Sequence, residues 1–242
     1  MSGPVRIRRE GAAFHIGLNR PEKMNALSAD MVEELIAAVA HAQACNADVI
    51  VLEGEGRNFS AGFDFADLDT QSEGDLLLRF VRIETLLQAL RASPCLTVAL
   101  AHGRNFGAGV DLFAACRLRY AEQDATFRMP GLKFGLVLGT RHFASLVGSQ
   151  AARTLLETAA TFDAEHAREL GFVTAIARRD GWEELRAQAV ARAAELPAGS
   201  RAALYETLAD RGADEDLARL VRSAAAPGLK ARIGAYLQAA RK

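Results

Sequence analysis

The chain has 242 residues, 50% of them hydrophobic and 24% charged, and a formal net charge of −1. That length supports a sizeable core, and the composition excludes wholesale disorder, a collagen repeat and a disulfide scaffold. A nearly neutral chain has no global attraction to nucleic acid or anionic lipid. Cys45, Cys95 and Cys116 are too scattered for a disulfide framework or a metal site and read as reduced core residues. His15, His41 and His102 have no metal-ligand spacing, so no metal is expected. The start, MSGPVRIRREG, lacks an apolar signal region, and no run of about 18 apolar residues occurs, so no membrane span and a cytoplasmic location are expected.

Residues 5–9 and 13–18 read as two short strands joined by Glu10-Gly11 and ended by Asn19-Arg20-Pro21. Ser28 is the N-cap of a helix to about residue 44, with Met31, Leu35, Ala38, Val39 and Ala42 on its apolar face. The wholly apolar Val49-Ile50-Val51-Leu52 predicts a strand buried on both faces. A helix over 76–92 stops at Ser93-Pro94, before another buried strand over 96–101. A glycine-rich bend, residues 102–109, leads into a short helix over 110–115, and residues 118–121 and 126–127 are further strand pieces. Beyond about residue 140 the pattern is mostly helical. Helices are expected over 141–156, 164–170 and 182–196, with a strand over 172–177. Three more helical patterns follow, divided at Gly212-Ala213 and Ala226-Pro227-Gly228. Alternating strands and helices make the class α/β. The composition shift near residue 197 divides a core (1–196) from a C-terminal helical region (197–242).

Four stretches in order resemble the crotonase superfamily, the enoyl-CoA hydratase/isomerase family. The first is Ile16 to Leu27 (IGLNRPEKMNAL), the second Phe59 to Phe65 (FSAGFDF) and the third Ser93 to Cys116; Asp163 to Val173 is a weaker fourth. The resemblance implies a spiral of ββα turns forming two sheets, with C-terminal helices mediating oligomer contacts in a homotrimer or dimer of trimers. It implies an acyl-CoA thioester as ligand and no separate cofactor, since the substrate carries the coenzyme A. By position it makes the Phe63 and Ala108 N–H groups the pair that receives the thioester oxygen, with Ala61, Gly62 and Gly107 shaping the two loops. Backbone donors need close approach, which suits Gly and Ala. The family's first carboxylate falls on Asp111; at the helix start its pKa is expected to tend downward. The second falls on Gly131, which can neither give nor take a proton.

Thr140, Arg141 and His142 open the next helix. Arg141 is a candidate to hold a substrate carboxylate and His142 a replacement acid or base. Asp64 is expected mainly to fix its loop, and Lys23 and Arg20 are candidates for coenzyme A phosphates. Hydration or isomerisation through Asp111 is the leading reading. Decarboxylation or C–C hydrolysis, with Arg141 holding the substrate, and a non-catalytic acyl-CoA-binding oligomer are the alternatives.

Overall fold

A computed structural model of the chain describes residues 3–209 and 212–240. Strands β1 (Val5–Glu10) and β2 (Ala13–Leu18) form the expected antiparallel hairpin, turned at Gly11, whose φ of 56° suits glycine. Helix α1 (Ala29–Ala44) starts where Ser28 Oγ accepts the Met31 N–H, and it buries the expected stripe with Val32 added. Strand β3 (Val49–Gly54) follows. Helix α2 (Glu73–Arg91) starts three residues before the expected 76 because Ser72 and Asp75 cap each other reciprocally.

The two-sheet spiral then takes shape. Strand β4 (Leu96–Ala101) lies in one sheet and β5 (Arg104–Phe106) in the other, and helix α3 (Ala108–Ala114) leads back. Strands β6 (Leu118–Ala121) and β7 (Thr126–Arg128) repeat the step. With β8 (Phe162–Asp163) and β9 (Ala175–Ile176), the larger sheet has the order β1-β2-β3-β4-β6-β9 and the smaller β5-β7-β8. From β2 to β9 the larger sheet is parallel. The strand expected over 172–177 shortens to β9.

The helix expected over 141–156 is two, α4 (Thr140–Val147) and α5 (Ser149–Thr158). Gly148 at φ 81° sits between them, a conformation that leaves the helical path. Helix α6 (Ala164–Glu169) follows. Helix α7 (Trp182–Ala194) covers the second face of the large sheet, where Val49, Val51, Val98 and Leu100 meet Trp182, Ala189 and Ala193. That is why β3 is apolar throughout: α1 and α2 cover one face and α7 the other. Under α3, Phe113 packs against Phe127 and Phe172 with ring centroids 5.3 and 5.5 Å apart, and Phe143 lies 5.2 Å from Phe172. Such pairs add about 0.5–1.5 kcal/mol each beyond burial, and they fix α3 against β7 and α4.

The last three helices are α8 (Ala198–Thr207), α9 (Ala213–Ala224) and α10 (Leu229–Ala239), with divisions where expected. Leu220 and Ala224 of α9 and Leu229 and Ile233 of α10 enter the main core. Helix α9 packs on α2, and α10 on the 3-10 turn Gly131–Phe134. Among the described residues no helix is long and apolar enough to cross a membrane.

Candidate active site

Two loops meet below α10, and the first motif holds the first of them. Asn25 is buried and left-handed at φ 52°. Its Oδ1 accepts the Arg20 N–H at 2.8 Å, and its Nδ2 donates to the Glu55 and Asn58 carbonyls at 2.8 Å. Ser60 Oγ donates to the Asn25 carbonyl at 2.9 Å and accepts the Gly62 N–H at 3.2 Å. Leu27 N–H donates to the Gly62 carbonyl at 2.7 Å and Asp64 N–H to the Leu27 carbonyl at 3.2 Å. Since Gly62 and Asp64 turn these groups toward Leu27, strand alternation turns the Phe63 N–H the other way. Among the described residues it donates to no protein acceptor.

The second loop is locked beside the first. Phe106 N–H donates to the Ser60 carbonyl at 3.0 Å and Gly107 N–H to the Arg128 carbonyl at 2.8 Å. Gly107, at φ 49° and ψ −124°, is the N-cap of α3, and Ala108 is its first residue. The first N–H groups of a helix have no partner inside it, and the Ala108 N–H has none elsewhere among the described residues. The expected start of this helix at 110 moves to 108, because the Gly107 carbonyl already accepts the Val110 N–H at 2.8 Å and the Asp111 N–H at 3.3 Å. The loops touch at Gly62, whose φ is 81°; a Cβ there would strike the Phe106 carbonyl oxygen and stand 3.0 Å from Ala108 N. The Phe63 ring lies back on Phe80, centroids 4.4 Å apart, beneath the Arg79 guanidinium 4.0 Å from its centroid.

Ala61, Phe63, Gly107 and Ala108 border one cavity of about 210 Å³. Its wall is mostly apolar, with Phe80, Phe106, Met129 and Leu136 among its members, and Tyr236 and Leu237 of α10 close one side. Asp111, one turn into α3, is the only carboxylate among the described residues that borders it. Gly139, at φ 63°, leaves room for that side chain, since a Cβ there would collide with Asp111 Oδ1. Asp111 is buried, and Oδ1 accepts no hydrogen bond among the described residues. Burial pushes its pKa well above the usual carboxylate value, the charge of Glu84 pushes the same way, and Arg91 opposes both. The downward shift expected from the helix start is therefore reversed: desolvation outweighs the dipole. Gly131 borders the cavity too.

Several expected site residues serve elsewhere. Arg141 does not border this cavity; it lines a separate one and grips Asp216 of α9 through Nε at 2.8 Å and Nη2 at 2.7 Å. A single substitution tests the structural role. Arg141→Ala leaves the buried Asp216 carboxylate with Arg91, 3.8 Å away, as its one cation among the described residues. Denaturant titration should then show a loss of about 1–3 kcal/mol, with acyl-CoA affinity unchanged. His142 turns its Nε2 to the Ala114 carbonyl, 2.9 Å away, and also lies outside the cavity, so it is no replacement acid or base there. Arg20 pairs with Asp64 at 2.7 Å and donates to the Ala26 carbonyl at 2.7 Å, which makes it a brace of the first loop. Asp64 also accepts the Ala66 N–H at 3.0 Å; burial raises its pKa, but this bond and Arg20 outweigh that and hold it low. Lys23 is exposed on the 3-10 turn Pro21–Lys23, away from the cavity.

Behind Asp111 stands a network with no sequence signal. Glu84 of α2 is buried, and it accepts Gln88 at 2.9 Å and Arg91 at 2.6 Å. Burial raises its pKa against both partners. Phe80 and Arg79 of α2, Gly139 and the α10 residues also escaped sequence reasoning; only tertiary packing brings them to the site.

A two-sheet ββα spiral with a buried acid at a helix start defines a crotonase-type protein. A family model described as enoyl-CoA hydratase/isomerase matches residues 8–223, and the chain belongs to that family of enzymes. A Bordetella parapertussis structure described as an enoyl-CoA hydratase/isomerase is 57% identical, superposes with a TM-score of 0.96 and covers 98% of this chain and 99% of its own. The "probable enoyl-CoA hydratase" of Mycobacterium tuberculosis is 37% identical over 176 residues, 71% of this chain and 70% of that protein. The peroxisomal Delta(3,5)-Delta(2,4)-dienoyl-CoA isomerase of Arabidopsis thaliana is 31% identical over 188 residues, 71% of this chain and 68% of that protein.

Proposed function

We propose that the chain isomerises enoyl-CoA thioesters, with the thioester oxygen received by the Phe63 and Ala108 N–H groups and one proton carried by Asp111. The observation behind this is the single carboxylate, among the described residues, in a mostly apolar cavity bordered by both amide-bearing residues. Two donors aimed at one oxygen stabilise the enolate as it forms, each worth about 2.7–4 kcal/mol in the transition state. The positive end of α3 adds to this. Moving a double bond needs one group that takes a proton from one carbon and returns it to another. A base with a raised pKa is better matched to a weak carbon acid than an ordinary carboxylate is. Hydration by two carboxylates sharing a water lacks its second member at Gly131. Decarboxylation with Arg141 as anchor lacks its cation, because Arg141 is spent on Asp216. Oligomerisation through the 197–242 region as a homotrimer or dimer of trimers, a cytoplasmic location and no cofactor beyond the substrate's own coenzyme A belong to the same proposal.

The test is direct. Incubation with a 3-enoyl-CoA should raise the absorbance of the conjugated 2-enoyl thioester, with a rate that climbs with pH as Asp111 ionises. Rapid hydration of crotonyl-CoA, or a rate that falls with pH over that range, would overturn the isomerase reading.

A further inference from the structure

Arg128 is the only cation among the described residues that borders the acyl cavity. It ends β7, and its carbonyl holds Gly107, so its backbone position is set by the same loop that carries Ala108. Its Nε donates to the carbonyl of Ala159, at the end of α5, at 3.0 Å. That bond fixes the plane of the guanidinium. The two terminal nitrogens have no protein partner among the described residues, and the side chain is half-buried. Arg128 also borders an outer basin with Lys133 and Arg232. Those two cations are occupied: Lys133 Nζ donates to the Glu157 carbonyl at 2.7 Å, and Arg232 binds four backbone carbonyls. Arg128 therefore stands where an apolar cavity meets an open basic basin, with a fork of donors suited to a planar anion.

We infer that Arg128 reads the far end of the acyl group and that the preferred substrates are acyl-CoA thioesters ending in a second carboxylate. This rests on the acyl-thioester site proposed above. The methylenes occupy the apolar cavity, and the terminal carboxylate meets the fork at its edge. The carboxylate then exchanges water for a bidentate partner without entering the apolar wall.

Hexanoyl-CoA and adipoyl-CoA have equal chain length and differ in the end group, so titration calorimetry with both, and with free coenzyme A, isolates the effect. Adipoyl-CoA should bind the wild-type protein more than tenfold tighter than hexanoyl-CoA. Arg128→Gln should erase that preference while leaving hexanoyl-CoA and coenzyme A unchanged, and Arg128→Lys should recover part of it. Circular dichroism confirms that each variant is folded, and if Arg128→Gln is not, Arg128→Lys decides through its intermediate preference. Equal wild-type affinity for the two thioesters overturns the inference alone. So does an Arg128→Gln loss shared by coenzyme A, which would assign Arg128 to a phosphate. Failure of both thioesters to bind overturns the acyl-thioester site itself.

Discussion

Asp111→Asn should lower turnover of a 3-enoyl-CoA by about 10²–10⁴ and, at the same time, make the protein more stable. The two effects have one cause. The Asp111 carboxyl is buried, its Oδ1 is unpartnered, and burial and Glu84 raise its pKa well above the ordinary 3.8. Folding therefore favours the protonated form. Above the ordinary value the unfolded chain has lost that proton while the folded chain keeps it, so the unfolded state binds fewer protons and stability falls as pH rises. The fall continues until the pH passes the raised folded value. Asparagine has nothing to ionise and escapes the penalty. Thermal melts at about pH 4 and about pH 8 should show the variant gaining on the wild type at the higher pH. An equal or lower melting temperature there would mean that the acid has a partner in solution, and undiminished turnover would remove it from the chemistry.

Gly62→Ala is the second large effect. The φ of 81° costs an L-residue about 1–3 kcal/mol, and the new methyl is driven into the Phe106 carbonyl beside Ala108 N. Relief of that clash separates the two loops, and the amides with them. Loss of one donor's geometry predicts a drop in kcat/KM of about 10²–10³. Gly148→Ala is the matched control. It has the same φ of 81°, but a Cβ there meets nothing within 4 Å. It should lose stability and keep its activity. Equal activity losses in the two variants would show that backbone strain, not loop spacing, is what matters.

The sequence was most informative where chemistry is local. Ser28, the apolar β3 and the glycines of the two loops each carry their own reason, and the structure has them where expected. The motif from Ile16 to Leu27 proved to be the clamp on the second motif: Asn25 and Leu27 hold the loop that carries Phe63. Pattern alone marks both stretches but not that one grips the other. What stayed hidden depends on distant neighbours. Arg141 and His142 open α4 and look poised for an acyl group, yet a helix presents one face to the cavity, and Thr140 takes it. The proton affinity of Asp111 misled for the same reason. Position in a helix is legible from sequence, whereas burial against α2 and Gly139 is a property of the packed fold. Arg128 drew no notice because a lone arginine in a short strand has no signature until the wall around it exists.

The bonds from Glu84 through Arg91 to Asp216 and Arg141 join α2, α9 and α4 behind the acid. Lifting α9 would withdraw the Asp216 charge and leave Arg91 to act unopposed on Glu84 and, through space, on Asp111. The acid would then surrender its proton more readily. A charge carried by a late helix thus bears, by way of Glu84 and Arg91, on the acidity of Asp111.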